Sequence, residues 1–412
     1  MTRRELSWCS YDFANSAFPT VVSTFVIATY VTTAVAADPV QGQAAWGWMQ
    51  ALAGLVIGLA SPLLGAVADA GGRRRGLLLV FTLGMALATA GLWFIAPDPA
   101  FLLPALLLVC LATVSFELGT VFYNAMLPAV ARAEAMGRLS GAGFAVGYAG
   151  GLICLALSLL VLIRPDPPPF GLDRSAAEHV RAVALLVAVW ILLFAWPVLV
   201  AVPDPAVRPP IRSAIRQGLA EILGLIRRLP REQVLARFLI ARLFYTDGLN
   251  TLFAFGAIYA AGRFGMGVEE ILLFGILLNV TAGIGAFGGG WVEDRLGSRR
   301  TVMLSLACVI AIGSAILLIE DKALFWALGA AIGVFFGPAQ AASRTLLARL
   351  APEGERAAWF GLFAMSGRIT GFVGPALLAA ATTAFASQSA GMAVVVLLLA
   401  AGLAVLASVR AR

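Results

Sequence analysis

The chain has 412 residues, 61% of them hydrophobic and 12% charged, against the roughly 45–50% apolar share usual in soluble domains. It therefore belongs in a bilayer, and its net charge of +7 does not point to nucleic acid, because the excess lies in short loops where topology and anionic headgroups account for it. No histidine falls in an apolar segment, and no metal-ligand set, nucleophile–base pair or Walker loop occurs, which argues against an integral enzyme, a metal or cofactor site, and a nucleotide-driven pump.

A spanning helix needs about 20 mostly apolar residues, because backbone groups cannot be left unpaired in hydrocarbon. Twelve segments qualify: 9–36, 43–69, 76–96, 101–127, 137–163, 180–202, 234–261, 268–292, 300–319, 323–349, 356–384 and 388–409. Arg3 and Arg4, an apolar run and then Ala34 to Ala36 imitate a secretory leader, but the run is too long and carries Asp12 and Asn15, so it reads as the first span. Of the 29 basic residues, 21 fall on the side of the N-terminus. The opposite side receives Arg164, Arg174, Arg181, Arg263 and Lys322, while Arg242, Arg344 and Arg368 lie within spans. Basic residues resist translocation, so both termini are expected in the cytoplasm of a multi-pass protein of the plasma (inner) membrane. Cys9, Cys110, Cys154 and Cys308 sit in or beside spans without paired spacing and read as small core residues.

Burying a charge in hydrocarbon costs at least about 2.5–3.5 kcal/mol, so each intramembrane charge is a candidate site. In the first span Asp12, Asn15 and Ser16 share a helical face; Asp12 either lines a cavity or caps its helix start. Between the second and third spans stand Gly65, Asp69, Arg73 and Arg74, a glycine for close helix crossing with charges suited to a gate. Thr113, Glu117, Thr120 and Asn124 form one polar stripe on the fourth span, facing substrate or gluing helices, and Glu117 is the leading residue for proton coupling. Gly143, Gly147 and Gly151 give the fifth span a small-residue face for close packing. The outer loop 164–181 reads as solvated, though Asp173 and Glu178 could touch substrate.

Residues 203–233 begin with prolines, then place Ile211, Ile215, Leu219, Ile222, Leu223, Ile226 and Leu229 at helical spacing among arginines, as in a linker helix on the inner leaflet. The expected organisation is thus a six-helix bundle over 1–202, a cytoplasmic linker over 203–233 and a second six-helix bundle over 234–412. In the seventh span Asp247, Asn250 and Thr251 repeat the Asp12 face, while Arg242, on the opposite side from Asp247, is expected to snorkel to the interface. Gly283, Gly285, Gly288, Gly289 and Gly290 crowd the eighth span, and the loop after it carries Gly290, Asp294, Arg295 and Arg299. Gln340 and Arg344 share a stripe of the tenth span, and Arg368 lies among Gly361, Gly367 and Gly371 in the eleventh. Arginine's fork of donors suits a carboxylate.

Asp12, Asn15 and Ser16 thus recur as Asp247, Asn250 and Thr251, and Gly65 with Asp69 as Gly290 with Asp294, in the same order at offsets near half the chain. Such duplication implies a doubled membrane bundle, usual in transporters. The loop pair, despite Ala70 and Ser298 where basic residues are expected, resembles the signature of the major facilitator superfamily. Trp8 with Tyr11 to Phe18, Phe122 to Pro128, Gly137 to Tyr148, Tyr245 to Gly248, Gln340 to Arg344 and Phe360 with Gly361 resemble its vacuole-effluxer branch.

The resemblance implies an all-α integral membrane fold of twelve helices in two pseudo-symmetric bundles and proton-linked transport, with amino-acid export from the vacuole assigned to fungal members. The residues suit alternating access for a small zwitterionic or anionic metabolite, Arg344 or Arg368 receiving a carboxylate and Asp247 or Glu117 an amine. The implied partners are that metabolite, a proton and membrane lipids, with the chain a monomer; a lipid or lysolipid transporter or scramblase is the alternative.

Overall fold

The computed structural model describes residues 1–69, 74–130, 136–202, 224, 227–229, 232–350, 359, 363, 366–367 and 370–409. Helices make up its regular structure, with no strand among the described residues. Among the described residues, ten helices are long and apolar enough to cross a membrane. We number the helical runs α1 (Arg3–Val35), α2 (Pro39–Asp69), α3 (Arg74–Gly91), α4 (Leu102–Val130), α5 (Met136–Leu157), α6 (Glu178–Ala201), α7 (Gln233–Phe264), α8 (Val268–Leu296), α9 (Ser298–Leu318), α10 (Lys322–Leu350), α11 (Val373–Phe385) and α12 (Gln388–Ala407). The two outside the ten are α7, which carries Arg237, Arg242 and Asp247, and the shorter α11. Leu59, Leu87, Leu107, Leu193 and Trp196 are exposed, as expected of surfaces solvated by acyl chains, where apolar exposure carries no penalty.

α1 begins at Arg3, earlier than hydropathy indicates. Thr2 and Glu5 form a reciprocal cap, the Glu5 N–H donating to Thr2 Oγ1 at 3.3 Å and the Thr2 N–H to Glu5 Oε2 at 2.6 Å, which satisfies two amides otherwise orphaned at a helix start. Asp12 lies well inside the helix, so the alternative in which it caps the start is overturned. From Phe18 to Phe25 the helix widens into π turns. They begin where Pro19 has no N–H to continue the ladder.

The chain divides into two compact units, Met1–Ala220 with Gly267–Leu272, and Glu221–Met266 with Leu273–Arg412. Within the first, α1 packs on α5 and α6, and α4 on α2 and α3. Its core near the N-terminus gathers Trp8, Tyr11, Phe122, Tyr123, Met126 and Val198; the Trp8 and Tyr123 rings stack 4.4 Å apart. Within the second, α7 packs on α12, and α9 on α10 and α12.

Glycines bring α8 and α10 into near contact: a methyl at Gly285 would strike the Val334 carbonyl, at Gly289 the Pro338 ring 2.5 Å away, and at Gly333 the Thr281 hydroxyl. Small residues drive association in lipid because close backbones maximise dispersion contact. The small-residue faces expected of α5 and α8 are therefore packing surfaces, although Gly283 and Gly288 face open space. The linker's helical pattern lies outside the described residues except Gly224 and Arg227 to Leu229.

Candidate functional site

The seam between α7 and α11 concentrates the buried polar chemistry of the second unit. α11 starts within the expected eleventh span: Thr370 to Phe372 make a turn and the helix runs from Val373, with Pro375 in its first turn, where a missing N–H costs nothing. Of its first amides, that of Val373 donates to the Thr370 carbonyl at 2.8 Å and Pro375 has none to offer, which leaves the Gly374 N–H in need of a partner. Asp247 on α7, 3% exposed, supplies one, its Oδ2 accepting the Gly374 N–H at 2.7 Å. A carboxylate at a helix N-terminus also complements the dipole, so this neighbour's side chain acts as the cap. Gly374 leaves room for it: a methyl there would strike Thr251 Oγ1 and lie 3.0 Å from Asp247 Oδ1. Asp247 Oδ1, Thr246 Oγ1 and Thr251 Oγ1 are buried and have no hydrogen-bond partner among the described residues.

Arg242 corrects the sequence-based expectation. It does not reach the interface but is 8% exposed, its Nη1 donating to the Phe363 carbonyl at 2.7 Å and to Ser366 Oγ at 2.6 Å. The guanidinium carbon sits 3.5 Å from the centroid of the Phe363 ring. Gly367 lies alongside it, where a methyl would make only ordinary contact, 3.4 Å from Nη1. Acceptor and aromatic face outweigh snorkelling. Its Nε is buried and unpartnered.

The first unit repeats the arrangement on α1 and α5. Asp12 is half-buried and its Oδ2 accepts the Tyr123 hydroxyl at 2.8 Å. A methyl at Gly143 would lie 2.6 Å from that same oxygen, and one at Gly147 2.8 Å from Ser16 Oγ. Asn15 is buried. In both halves, then, the repeated aspartate and hydroxyl residue meet glycines of the helix four positions on in chain order.

The remaining candidates are less gathered. Glu117 and Thr120 are half-buried on α4, Thr120 donating to the Phe116 carbonyl of its own helix at 2.9 Å, while Asn124 is exposed. Thr113 Oγ1 is buried without a partner. Asn250 and Arg344 are exposed and Gln340 half-buried. Between the last two, Ser343 donates to Ala339 at 2.6 Å and takes the Tyr245 hydroxyl at 2.8 Å, tying α10 to α7. Arg368 and Arg73 lie outside the described residues, as do the side chains of Gly65, Asp69, Gly290 and Asp294.

Arg74 is half-buried and Arg295 exposed. Arg299 donates to the Ala407 carbonyl at 2.7 Å and to that of Leu406 at 3.4 Å, so it closes the C-terminus of α12, where free carbonyls and the dipole favour a cation. Ser298, the departure from the loop pattern, donates to buried Glu293 Oε1 at 2.6 Å. On the loop between α5 and α6 the Ser175 hydroxyl and amide hold the exposed Asp173 carboxyl below its ordinary value, in keeping with a solvated turn.

A cavity of about 60 Å³ opens inside the second unit, lined by Phe253, Tyr259, Phe274, Phe325, Phe336 and Met392 among others. Its walls are almost wholly apolar. The sequence offered no way to place it, since its rings come from three helices, α7, α8 and α10. For Arg242, Ser366 and Tyr123 the available signal was weaker than for the aspartates: an in-span arginine without a carboxylate one turn away, and polar groups in otherwise apolar helices.

Residues 37–412 match the family described as vacuole effluxer Atg22 like. The chain is 26% identical to the MFS-type transporter YxiO of Bacillus subtilis (strain 168), over 99% of its own length and 95% of that protein. It is 26% identical to autophagy-related protein 22 of Cryptococcus neoformans var. neoformans serotype D (strain B-3501A), over 58% of its length but only 46% of the relative, so it spans about half of that fungal protein.

In fold it is similar to the nucleoside transporter NupG (D323A mutant), with a TM-score of 0.67 at 13% identity over 99% of this chain and 98% of that one. It is likewise similar to a bacterial homolog of the human lysosomal transporter Spinster, with a TM-score of 0.67 at 14% identity over 99% and 95%. With twelve helices, a duplicated aspartate face and these likenesses together, the chain is an integral multi-pass membrane protein that belongs to the vacuole effluxer Atg22-like family of major facilitator transporters.

Proposed function

We propose that the protein is a secondary transporter that carries a small zwitterionic or anionic metabolite, an amino acid in the first instance, by alternating access coupled to protons. The observation that carries the reading is the pair of aspartates, Asp12 and Asp247, set at repeated positions in spans and each seated against a glycine of a neighbouring helix. A carboxylate is a costly residue for a span unless its charge is used. Asp247 holds the start of α11 most strongly when ionised, so a proton arriving there loosens the cap and biases that helix; this links proton occupancy to conformation. Glu117 is a second coupling residue, and the Asp69 and Asp294 loops act as gates.

The description of the family as effluxers supports export, and a D-xylose-proton symporter of similar fold, with a TM-score of 0.60, supports proton coupling. The distribution of basic residues supports cytoplasmic termini in a plasma membrane. In liposomes with an imposed pH gradient, the purified protein is expected to accumulate at least one radiolabelled amino acid and to dissipate the gradient as it does so. No accumulation of any of the common amino acids would overturn the amino-acid reading.

The apolar cavity of the second unit favours a second reading, a lipid or lysolipid carrier. At about 60 Å³ it is far below the roughly 300–1,000 Å³ of ordinary ligand pockets, which places this reading second. Transfer of a fluorescent lysolipid between leaflets, without amino-acid uptake, would reverse the order.

A further inference from the structure

The geometry points to Arg242 as the group that receives a carboxylate, on the α7 side of the α7–α11 seam. This rests on the transport reading above and adds to it the anchoring residue, which the sequence had sought at Arg344 or Arg368. Nη1 donates both to the Phe363 carbonyl and to Ser366 Oγ. The Ser366 hydroxyl itself donates to that carbonyl at 2.8 Å, so its lone pair is what accepts from Arg242. The guanidinium is thereby fixed in plane, over the Phe363 ring.

Among the described residues nothing accepts from the opposite edge, made by Nε and Nη2: Nε is buried with no partner there, the hydrogen-bond and ring partners of Arg242 are neutral, and the charged group described as acting on it, Arg344, is of like sign. A buried guanidinium with a fixed orientation and an unfilled two-donor edge fits the two oxygens of a carboxylate side-on, in paired N–H···O bonds. One turn along α7, Thr246 Oγ1 is also buried and unpartnered and can donate to the same anion. Arg344, by contrast, is exposed.

The test uses the full chain in nanodiscs, with thermal stability read against each common amino acid, acetate, benzoate and inorganic phosphate. For every stabilising carboxylate the matching amide is added as a partner probe. The wild type is expected to be stabilised by at least one carboxylate and not by its amide, since a ligand that binds the folded state raises its melting temperature. Arg242→Lys, which keeps the charge but loses the fork, is expected to weaken that binding about tenfold or more. Thr246→Val serves as a milder variant should Arg242→Lys fail to fold, and is expected to weaken the same binding several-fold.

Stabilisation by phosphate alone, equal response to acid and amide, no response to any carboxylate, or unchanged affinity in the foldable variants would each overturn the assignment. Its failure is distinguishable from failure of the transport reading. Amino-acid uptake that survives Arg242→Lys unchanged removes Arg242 and leaves transport intact, whereas carboxylate binding without gradient-driven uptake keeps Arg242 and removes transport.

Discussion

Gly374→Ala tests whether Asp247 caps α11 through a gap that only glycine provides. The added methyl would strike Thr251 Oγ1 and come within 3.0 Å of Asp247 Oδ1 and 3.1 Å of Asp247 Cγ. Thr251 is buried and β-branched, so it has few ways to yield. Overpacking of this kind costs about 1–3 kcal/mol, and pushing α11 back also strains the 2.7 Å bond from Gly374 to the carboxylate, a class worth about 1.5–3 kcal/mol. Alanine's better helix propensity returns about 0.5–1 kcal/mol.

The net expectation is a loss of about 2–5 kcal/mol, and a fall in melting temperature on the order of 10 °C at about 2–4 °C per kcal/mol. The control is Gly256→Ala on α7, where nothing stands within 4 Å of the new methyl and stability should hold or rise slightly. Both variants are purified in the same detergent and melted by tryptophan fluorescence. If Gly374→Ala melts with Gly256→Ala, the tight seam and the cap drawn from it are wrong.

Tyr123→Phe removes the donor to Asp12 and is expected to destabilise by about 1.5–3 kcal/mol, against about 0.5–1.5 kcal/mol for Tyr30→Phe, whose hydroxyl donates to the neutral Ile95 carbonyl at 2.8 Å; equal losses in parallel melts would show that Asp12 carries no charge there. Asp247→Asn keeps an acceptor for Gly374 but not the charge, so the protein should fold and exchange substrate across liposomes while losing uptake driven by a pH gradient; full driven uptake would take Asp247 out of coupling. Glu117→Gln should likewise abolish driven uptake and spare counterflow, and a variant that still accumulates substrate would confine Glu117 to helix packing.

The spans are legible because a bilayer demands long apolar runs, and α7 qualifies as one despite Arg237, Arg242 and Asp247. Asp12 and Asp247 were found by the sequence duplication. What surrounds them was not: the Tyr123 hydroxyl comes from 111 residues along the chain and the Gly374 amide from 127, distances over which no local spacing speaks. Arg242 was misjudged for a related reason. Which way a long side chain turns depends on an acceptor and a ring face 121 residues distant at Phe363, whereas helical periodicity reports only the face from which it departs. The early start of α1 did have a signal, the Thr2–Glu5 pair, and the start at Val373 had one in Pro375, but hydropathy over a 20-residue window passes over both.

The interlocked glycines of α8 and α10 carry a mechanical corollary. Two rods whose main chains mesh this closely leave no space for even one carbon at Gly285, Gly289 or Gly333. Any side chain introduced there must wedge the pair apart, so this stretch of the protein tolerates the least change in its covalent make-up.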